Sequence, residues 1–243
     1  MKKIYFAILT LALLLGTNKI NAQLLEEAQK FVKQKTTSTL TQNDATKGIK
    51  EVLEKGTTAA VSKVSKVNGY LNDPQIKIPF PQNAKTIETK LRAVGLGKKV
   101  DQVVESMNRA AEDAATGAQP IFLNAIKGLN VQNAVQIVKG DNNAATQYLK
   151  GKTSSQLATQ FKPVIQKSLD KVNATKYWNS MMSSYNKIPL VKKVNPDLSD
   201  YVTQKAIEGL FVKMGQEEAK IRTNPAQQTS SALKNVFGTV TAK

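Results

Sequence analysis

The sequence predicts an all-α protein, a single bundle of about eight to ten helices. Apolar residues recur at helical spacing through most of the chain. Glycines fall near most places where this periodicity breaks, as expected of residues that follow helix C-termini. The one clear exception is 71–81, where Pro74, Pro79 and Pro81 exclude a helix and predict an extended segment.

The N-terminus has the pattern of a cleavable signal peptide. The basic pair Lys2-Lys3 precedes an apolar run over 4–15, and Ala22 supplies a small residue at the cleavage point. The run is shorter than the roughly 20 residues that span a bilayer. The alternatives are an N-terminal core helix and an uncleaved anchor. We expect a signal peptide at 1–22 and a single helical domain at 23–243, exported to the periplasm or associated with the outer membrane.

The predicted helices follow one another closely from the end of the signal. They lie at about 24–35, 44–66, 83–94, 98–116, 119–129, 131–139, 142–150, 153–171, 174–185, 200–223 and 226–237. Asn43 or Asp44 is expected to cap the second helix, and Ser199 or Asp200 the helix at 200–223.

Within the extended segment, the apolar residues Ile76, Ile78 and Phe80 alternate as in a strand. The four residues 77–80 resemble 187–190, so 71–81 could pair with 187–191 as a small two-stranded ribbon. A chance similarity is the alternative.

The composition narrows the classes of function. The chain has no cysteine and no histidine, which excludes disulfides, the usual zinc sites and the usual catalytic triads. Loss of 1–22 removes three lysines and no acid, so the net charge falls from +17 to +14. A basic surface attracts anionic envelope components or lipid. The alternative is a solvated basic surface that only keeps the protein soluble. The lysines are dispersed and arginines are few, so no nucleic-acid partner is expected. No metal, cofactor or catalytic residue is expected either.

The helix at 98–116 carries a polar stripe beside its apolar face. Asp101, Glu105, Asn108 and Glu112 follow at spacings of 4, 3 and 4, and Arg109 can pair with either glutamate. The stripe faces either solvent, as a set of ion pairs, or a groove in the bundle.

The helix at 200–223 places Glu217 and Glu218 inside or at the edge of a wide apolar arc. A buried carboxylate is costly unless it is paired. Arg222 lies four residues after Glu218, and Lys213 four before Glu217, so local partners exist. Either Glu217 and Glu218 form a locally paired edge of the helix, or one of the two carboxylates lines an internal polar site together with Arg109.

A third group of candidate residues surrounds Trp178, which shares a stripe with Met181, Met182 and Tyr185. Core packing is the default interpretation, and a hydrophobic ligand groove or a membrane contact is the alternative. The candidate ligand-binding residues are therefore Asn108, Arg109, Glu112, Trp178, Glu217, Glu218 and Arg222.

Several separated blocks of the sequence resemble one known family in the same order. The blocks are Gly69-Tyr70-Leu71-Asn72, Ile76-Lys77-Ile78-Pro79, 106–112, 144–148, 200–206, Gly209-Leu210-Phe211 and 217–225. They resemble the bacterial "domain of unknown function 4197" family over about 45–238. The resemblance implies a signal-bearing, mostly helical protein of Gram-negative envelopes, and it implies no activity.

Three functions stay open at this point. The first is a non-enzymatic envelope module, binding or structural, that acts through its basic surface. The second is a carrier of a small ligand or lipid with its site between helices. The third is a carboxylate-based hydrolase, which requires two acids that converge in a cleft. The oligomeric state and the identity of any partner stay open.

Overall fold

The structure, a computed structural model, describes residues 41–187, 189–190 and 192–238. These residues contain nine α-helices and no β-strand. The all-α prediction is confirmed for these residues. The predicted signal peptide at 1–22 and the predicted helix at 24–35 lie outside them. Within the described ranges, no helix is both long enough and apolar enough to cross a bilayer.

The helices are numbered here in chain order. They are α1 Gln42–Val64, α2 Lys85–Ala93, α3 Gly97–Ala115, α4 Ala118–Lys127, α5 Val131–Lys139, α6 Ala144–Asp170, α7 Ala174–Tyr185, α8 Leu198–Thr223 and α9 Ser231–Phe237, with 3₁₀ turns at Gln82–Ala84 and Pro225–Gln227. The long helix α6 packs against both α3 and α8, while α1 packs against α8, α9 and α5. The core lies between these long helices.

Polar side chains fix where several helices begin. The Thr41 hydroxyl accepts a hydrogen bond from the Asp44 N–H at 3.0 Å, and Asp197 accepts one from the Asp200 N–H at 3.0 Å. These are side-chain caps that satisfy donors of the first turn. The predicted caps at Asn43 or Asp44 and at Ser199 or Asp200 were therefore placed two or three residues late.

Helix α6 is continuous from Ala144 to Asp170, so the predicted break between 142–150 and 153–171 is wrong. Gly151 lies in its interior and is exposed. A helical glycine costs only about 1 kcal/mol relative to alanine. Burial of the apolar face on either side outweighs that cost. This face consists of Leu149, Leu157, Phe161, Ile165 and Leu169.

A non-helical strap, residues 68–81, connects α1 to the first 3₁₀ turn. Its alternation is confirmed, since Ile76, Ile78 and Phe80 are buried while the residues between them are exposed. The predicted ribbon does not form in the described residues. Ile188 and Val191 lie outside them. The ribbon is absent because the backbone N–H and C=O of Ile78 are both hydrogen-bonded to the side chain of Asn108 on α3, and not to a second strand.

The strap lies directly on α8 because Gly209 has no side chain. A Cβ at this position would lie 2.7 Å from Tyr70 Cε1 and 3.0 Å from Ile76 Cβ. The Tyr70 ring cannot easily retreat, since its hydroxyl donates to the Ala206 carbonyl at 2.6 Å. Burial raises the pKa of this hydroxyl, and the charge of Glu112 adds to that effect.

Replacing Gly209 by alanine is expected to lower the free energy of unfolding by about 1–3 kcal/mol, because the added methyl group overpacks the contact with the strap. Urea denaturation measures this change. Gly151→Ala is the matched control, since a Cβ there meets nothing within 4 Å. The control is expected to stabilise the protein by up to about 1 kcal/mol. Equal effects of the two changes would contradict the close packing.

Candidate functional site

Asn108 on α3 pairs with the strap as a neighbouring strand would. Its side chain is fully buried, its Oδ1 accepts from the Ile78 N–H at 2.8 Å, and its Nδ2 donates to the Ile78 carbonyl at 2.9 Å. Nδ2 also donates to the Val104 carbonyl at 2.8 Å. Every strong hydrogen-bonding group of this amide is therefore used inside the protein.

Glu112, one turn further along α3, holds the beginning of the strap. The buried carboxylate accepts three backbone hydrogen bonds, from Asn68 at 3.1 Å, Tyr70 at 3.1 Å and Leu71 at 3.2 Å. Arg109 completes the arrangement with a 2.9 Å ion pair. Asn68 adopts a left-handed conformation, with φ of 68°, which asparagine tolerates better than most residues.

Arg109 is the outermost member of this group. It donates to Glu112 and to the Asn68 side chain at 2.9 Å, and it lies 3.5 Å from Glu105. The hydrogen bond to Glu112, with the nearby carboxylate charges, raises the pKa of Arg109. The solvent-facing interpretation of the polar stripe is correct for Asp101 and Glu105 and wrong for Asn108 and Glu112. The groove that these two residues face is filled by the chain's own strap.

Lys213 of α8 holds the strap from another helix. Its buried ammonium lies 2.6 Å from Asp73 Oδ2 and donates to Gln75 Oε1 at 2.7 Å. Burial acts to raise the pKa of Asp73, but the hydrogen bond from Lys213, a backbone N–H and the charge of Lys63 outweigh it, so the pKa lies below its usual value. The predicted pairing of Lys213 with Glu217 is wrong, because Glu217 pairs with Lys220 at 2.7 Å.

Glu218 lies in a second, separate network. Its buried carboxylate accepts from the Ala145 N–H at 2.9 Å and from the Thr146 N–H and hydroxyl at 2.7 Å each. The predicted partner Arg222 donates to it at 2.8 Å and to the Ile137 carbonyl at 3.0 Å. Asn143, the residue before α6, makes no side-chain cap, so Glu218 caps this helix from α8.

The carboxylates that could have formed a shared polar site do not do so. Glu112 and Arg109 bind the start of the strap, whereas Glu218 and Arg222 bind the start of α6 and the end of α5. No hydrogen bond or ion pair links the two networks within the described residues. In the same part of the chain, no cluster of three or more acidic side chains could hold a metal ion.

An open groove of about 1020 Å³ lies on the outer side of α3. Three buried side chains, Phe80, Val100 and Trp178, are among its lining residues, and Phe80 meets Trp178 edge to face at 5.4 Å between ring centroids. More exposed apolar residues also border it, namely Leu91, Leu96, Val103, Val172 and Tyr177. Contiguous exposed apolar surface of this kind is typical of binding sites.

Polar groups line the same groove. Lys99 of α3 and Lys171, just after α6, are exposed there, and neither forms a salt bridge within the described residues. Arg109 reaches the groove but is occupied by Glu112. Asp113 accepts a hydrogen bond from Ser168 at 2.9 Å. Glu105, which also lines the groove, lies 3.5 Å from Arg109. The groove therefore combines an apolar surface, two unpaired cations and two carboxylates, Glu105 and Asp113, that already have partners.

A comparison with protein families identifies the chain's relatives. The profile described as "Protein of unknown function (DUF4197)" matches residues 39–238. The chain belongs to the DUF4197 family. The extent agrees with the 45–238 over which the sequence blocks resemble that family. No curated protein and no solved structure matches the chain.

In this DUF4197 protein, two predicted candidates, Trp178 and Arg109, lie at the groove. Four others, Asn108, Glu112, Glu218 and Arg222, hold the fold together, and Glu217 pairs with Lys220 along its own helix. Trp178 is buried in the core, as the default interpretation had it, and also lines the groove. Met182 of the same stripe is buried, and the side chain of Met181 lies outside the described part.

Sequence reasoning missed Lys99 and Lys171. The signal was weak, because a lysine beside an apolar residue is common on any helical surface.

Proposed function

We propose that this DUF4197 protein is a non-enzymatic binding module of the cell envelope, with the groove beside α3 as its site for a single-chain anionic amphiphile. The observation that carries the proposal is the apolar lining around Trp178 beside the unpaired ammonium groups of Lys99 and Lys171. Ligand pockets typically measure about 300–1,000 Å³ and are mainly apolar with a few polar groups that orient the ligand. The envelope location rests on the signal-peptide pattern at 1–22.

The ligand class follows from the chemistry of the groove. An alkyl chain would cover the apolar surface of Val103, Val172 and Tyr177, which is now partly or fully exposed to water. A carboxylate or phosphate head group would lie near Lys99 and Lys171. A hydrolase is less well supported, because the buried acids Glu112 and Glu218 are each saturated by hydrogen bonds in separate networks.

Laurate is expected to change the fluorescence of Trp178 with a saturable dependence on concentration. Trp178 is the only tryptophan in the chain, so the signal comes from the groove alone. Val103→Asp is expected to abolish the change, because it places a charge among the apolar lining residues. Lys99→Glu with Lys171→Glu is expected to weaken binding about tenfold, from two reversed charges in a largely exposed setting.

Two controls decide whether the effect is specific. Dodecyltrimethylammonium has an alkyl chain of similar length with a cationic head group and is expected to bind more weakly than laurate. Lys150→Glu changes an exposed lysine of α6 that does not line the groove, and it should leave laurate binding unchanged. No response to laurate below its micelle concentration, or an equal response of the two amphiphiles, would contradict the proposal.

A further inference from the structure

The loop between α7 and α8 presents an apolar tip on a fixed base. At the base, the Asn186 side chain accepts from the Val194 N–H at 2.8 Å and donates to the Val194 carbonyl at 2.7 Å. Val194 is buried, and the indole N–H of Trp178 donates to the Asn195 carbonyl at 3.2 Å. The two ends of the loop are thus tied to each other and to the core.

Leu190 at the tip has an unusual conformation. Its side chain is fully exposed, and its φ of 65° lies in the left-handed region. A branched apolar residue rarely adopts this conformation, which carries a steric cost. Here the cost is not offset by packing, because the side chain points into solvent. Leu190 is therefore fully available for a contact outside the chain.

The charged residues that neighbour the tip in the sequence are all positive. Lys187, Lys192 and Lys193 flank Leu190 in the sequence and are exposed. No acidic residue occurs between Asp170 and Asp197. An apolar side chain with adjacent lysines matches an anionic bilayer surface, where the apolar group enters the acyl boundary and lysines reach phosphates.

We propose that the loop around Leu190 docks this protein onto an anionic lipid bilayer, with Leu190 inserted at the interface and Lys187, Lys192 and Lys193 on the lipid phosphates. The contact is peripheral: one inserted side chain and three lysines give weak, reversible and salt-sensitive binding. This surface does not depend on the groove, and either proposal can fail without the other.

Vesicle flotation with the full chain tests the loop. Vesicles of phosphatidylglycerol and phosphatidylcholine are expected to bind the protein at low salt, and vesicles of phosphatidylcholine alone are not. Leu190→Asn is the decisive variant, since asparagine suits the left-handed backbone and keeps the loop's shape. It is expected to reduce binding at least tenfold. Lys192→Gln with Lys193→Gln is expected to reduce it about 25-fold, about fivefold for each lysine, and to flatten the salt dependence.

Matched controls lie elsewhere on the surface. Val67→Asn removes another exposed apolar side chain, and Lys150→Gln with Lys152→Gln removes two exposed lysines of α6. Both should bind vesicles like the unaltered protein. The proposal is overturned if the unaltered protein does not float with anionic vesicles. It is also overturned if Leu190→Asn floats as well as the unaltered protein does. If the protein binds heparin through these lysines and Leu190→Asn still floats normally, the loop is a site for a soluble polyanion, which also overturns the proposal. Laurate titration of Leu190→Asn should match wild type, which separates this test from that of the groove.

Discussion

Replacing Glu218 by alanine is expected to lower the free energy of unfolding by about 3–5 kcal/mol, the largest effect of any single change considered for this chain. The substitution leaves the buried guanidinium of Arg222 without its carboxylate, and the N–H groups of Ala145 and Thr146 lose their hydrogen-bond acceptor. Arg222 would keep its bond to the Ile137 carbonyl and its position 4.8 Å from the Phe237 ring, but neither neutralises a buried charge. Urea denaturation followed by far-UV circular dichroism measures the loss.

The adjacent residue supplies a matched control. Glu217→Ala removes a more exposed carboxylate, whose one salt bridge among the described residues is with Lys220 on the same helix. Such pairs contribute about 0.3–0.5 kcal/mol, so this variant should unfold almost like wild type. A double-mutant cycle with Arg222→Met then measures the coupling between Glu218 and Arg222. If Glu218→Ala were as mild as Glu217→Ala, the proposed cap on α6 would be wrong.

Replacing Glu112 by alanine is expected to cost about 2–4 kcal/mol and to loosen the strap locally. Three backbone N–H groups, those of Asn68, Tyr70 and Leu71, lose their acceptor, and an unsatisfied buried donor costs about 1–3 kcal/mol. Arg109 is only half-buried, so water can reach some of these N–H groups. The loss in the free energy of unfolding is therefore smaller than three full penalties for unsatisfied donors. Thermal denaturation measures the global loss.

Hydrogen exchange measured by mass spectrometry tests the local part of that prediction. Peptides that cover 68–78 should exchange faster in Glu112→Ala, while peptides of α6 should be much less affected. Glu105→Ala is the control, since this exposed carboxylate lies 3.5 Å from Arg109 and forms no hydrogen bond or ion pair with the strap in the described part of the chain. Uniformly faster exchange across the protein, with no excess in the strap, would contradict a role of Glu112 in holding it.

Local features of the fold could be predicted because they depend on residues close in sequence. The pairs Arg109–Glu112 and Glu218–Arg222 follow from helical spacing alone, and both are present. The three prolines of 71–81 exclude a helix there whatever the rest of the chain does. The alternation of Ile76, Ile78 and Phe80 indicates one buried face of that segment without naming what covers it.

Two of the failures, at Lys213 and in the groove, involve contacts between distant parts of the chain. Lys213 has an acid four residues away, but it pairs with Asp73 in the strap, 140 positions earlier in the sequence. Helical periodicity identifies which residues share a face and gives no information about which element meets that face. The groove shows the same limit, since its lining brings together the strap, α2, α3 and the α6–α7 junction.

The cap that α8 provides for α6 also constrains the order in which the protein can fold. The first turn of α6 has no side-chain acceptor of its own, and Glu218 follows Thr146 by 72 positions. During synthesis, all of α6 leaves the ribosome well before its cap does. Contacts of such long sequence separation form late, because a large loop must close first. We therefore expect the start of α6 to stay frayed until α8 docks against it.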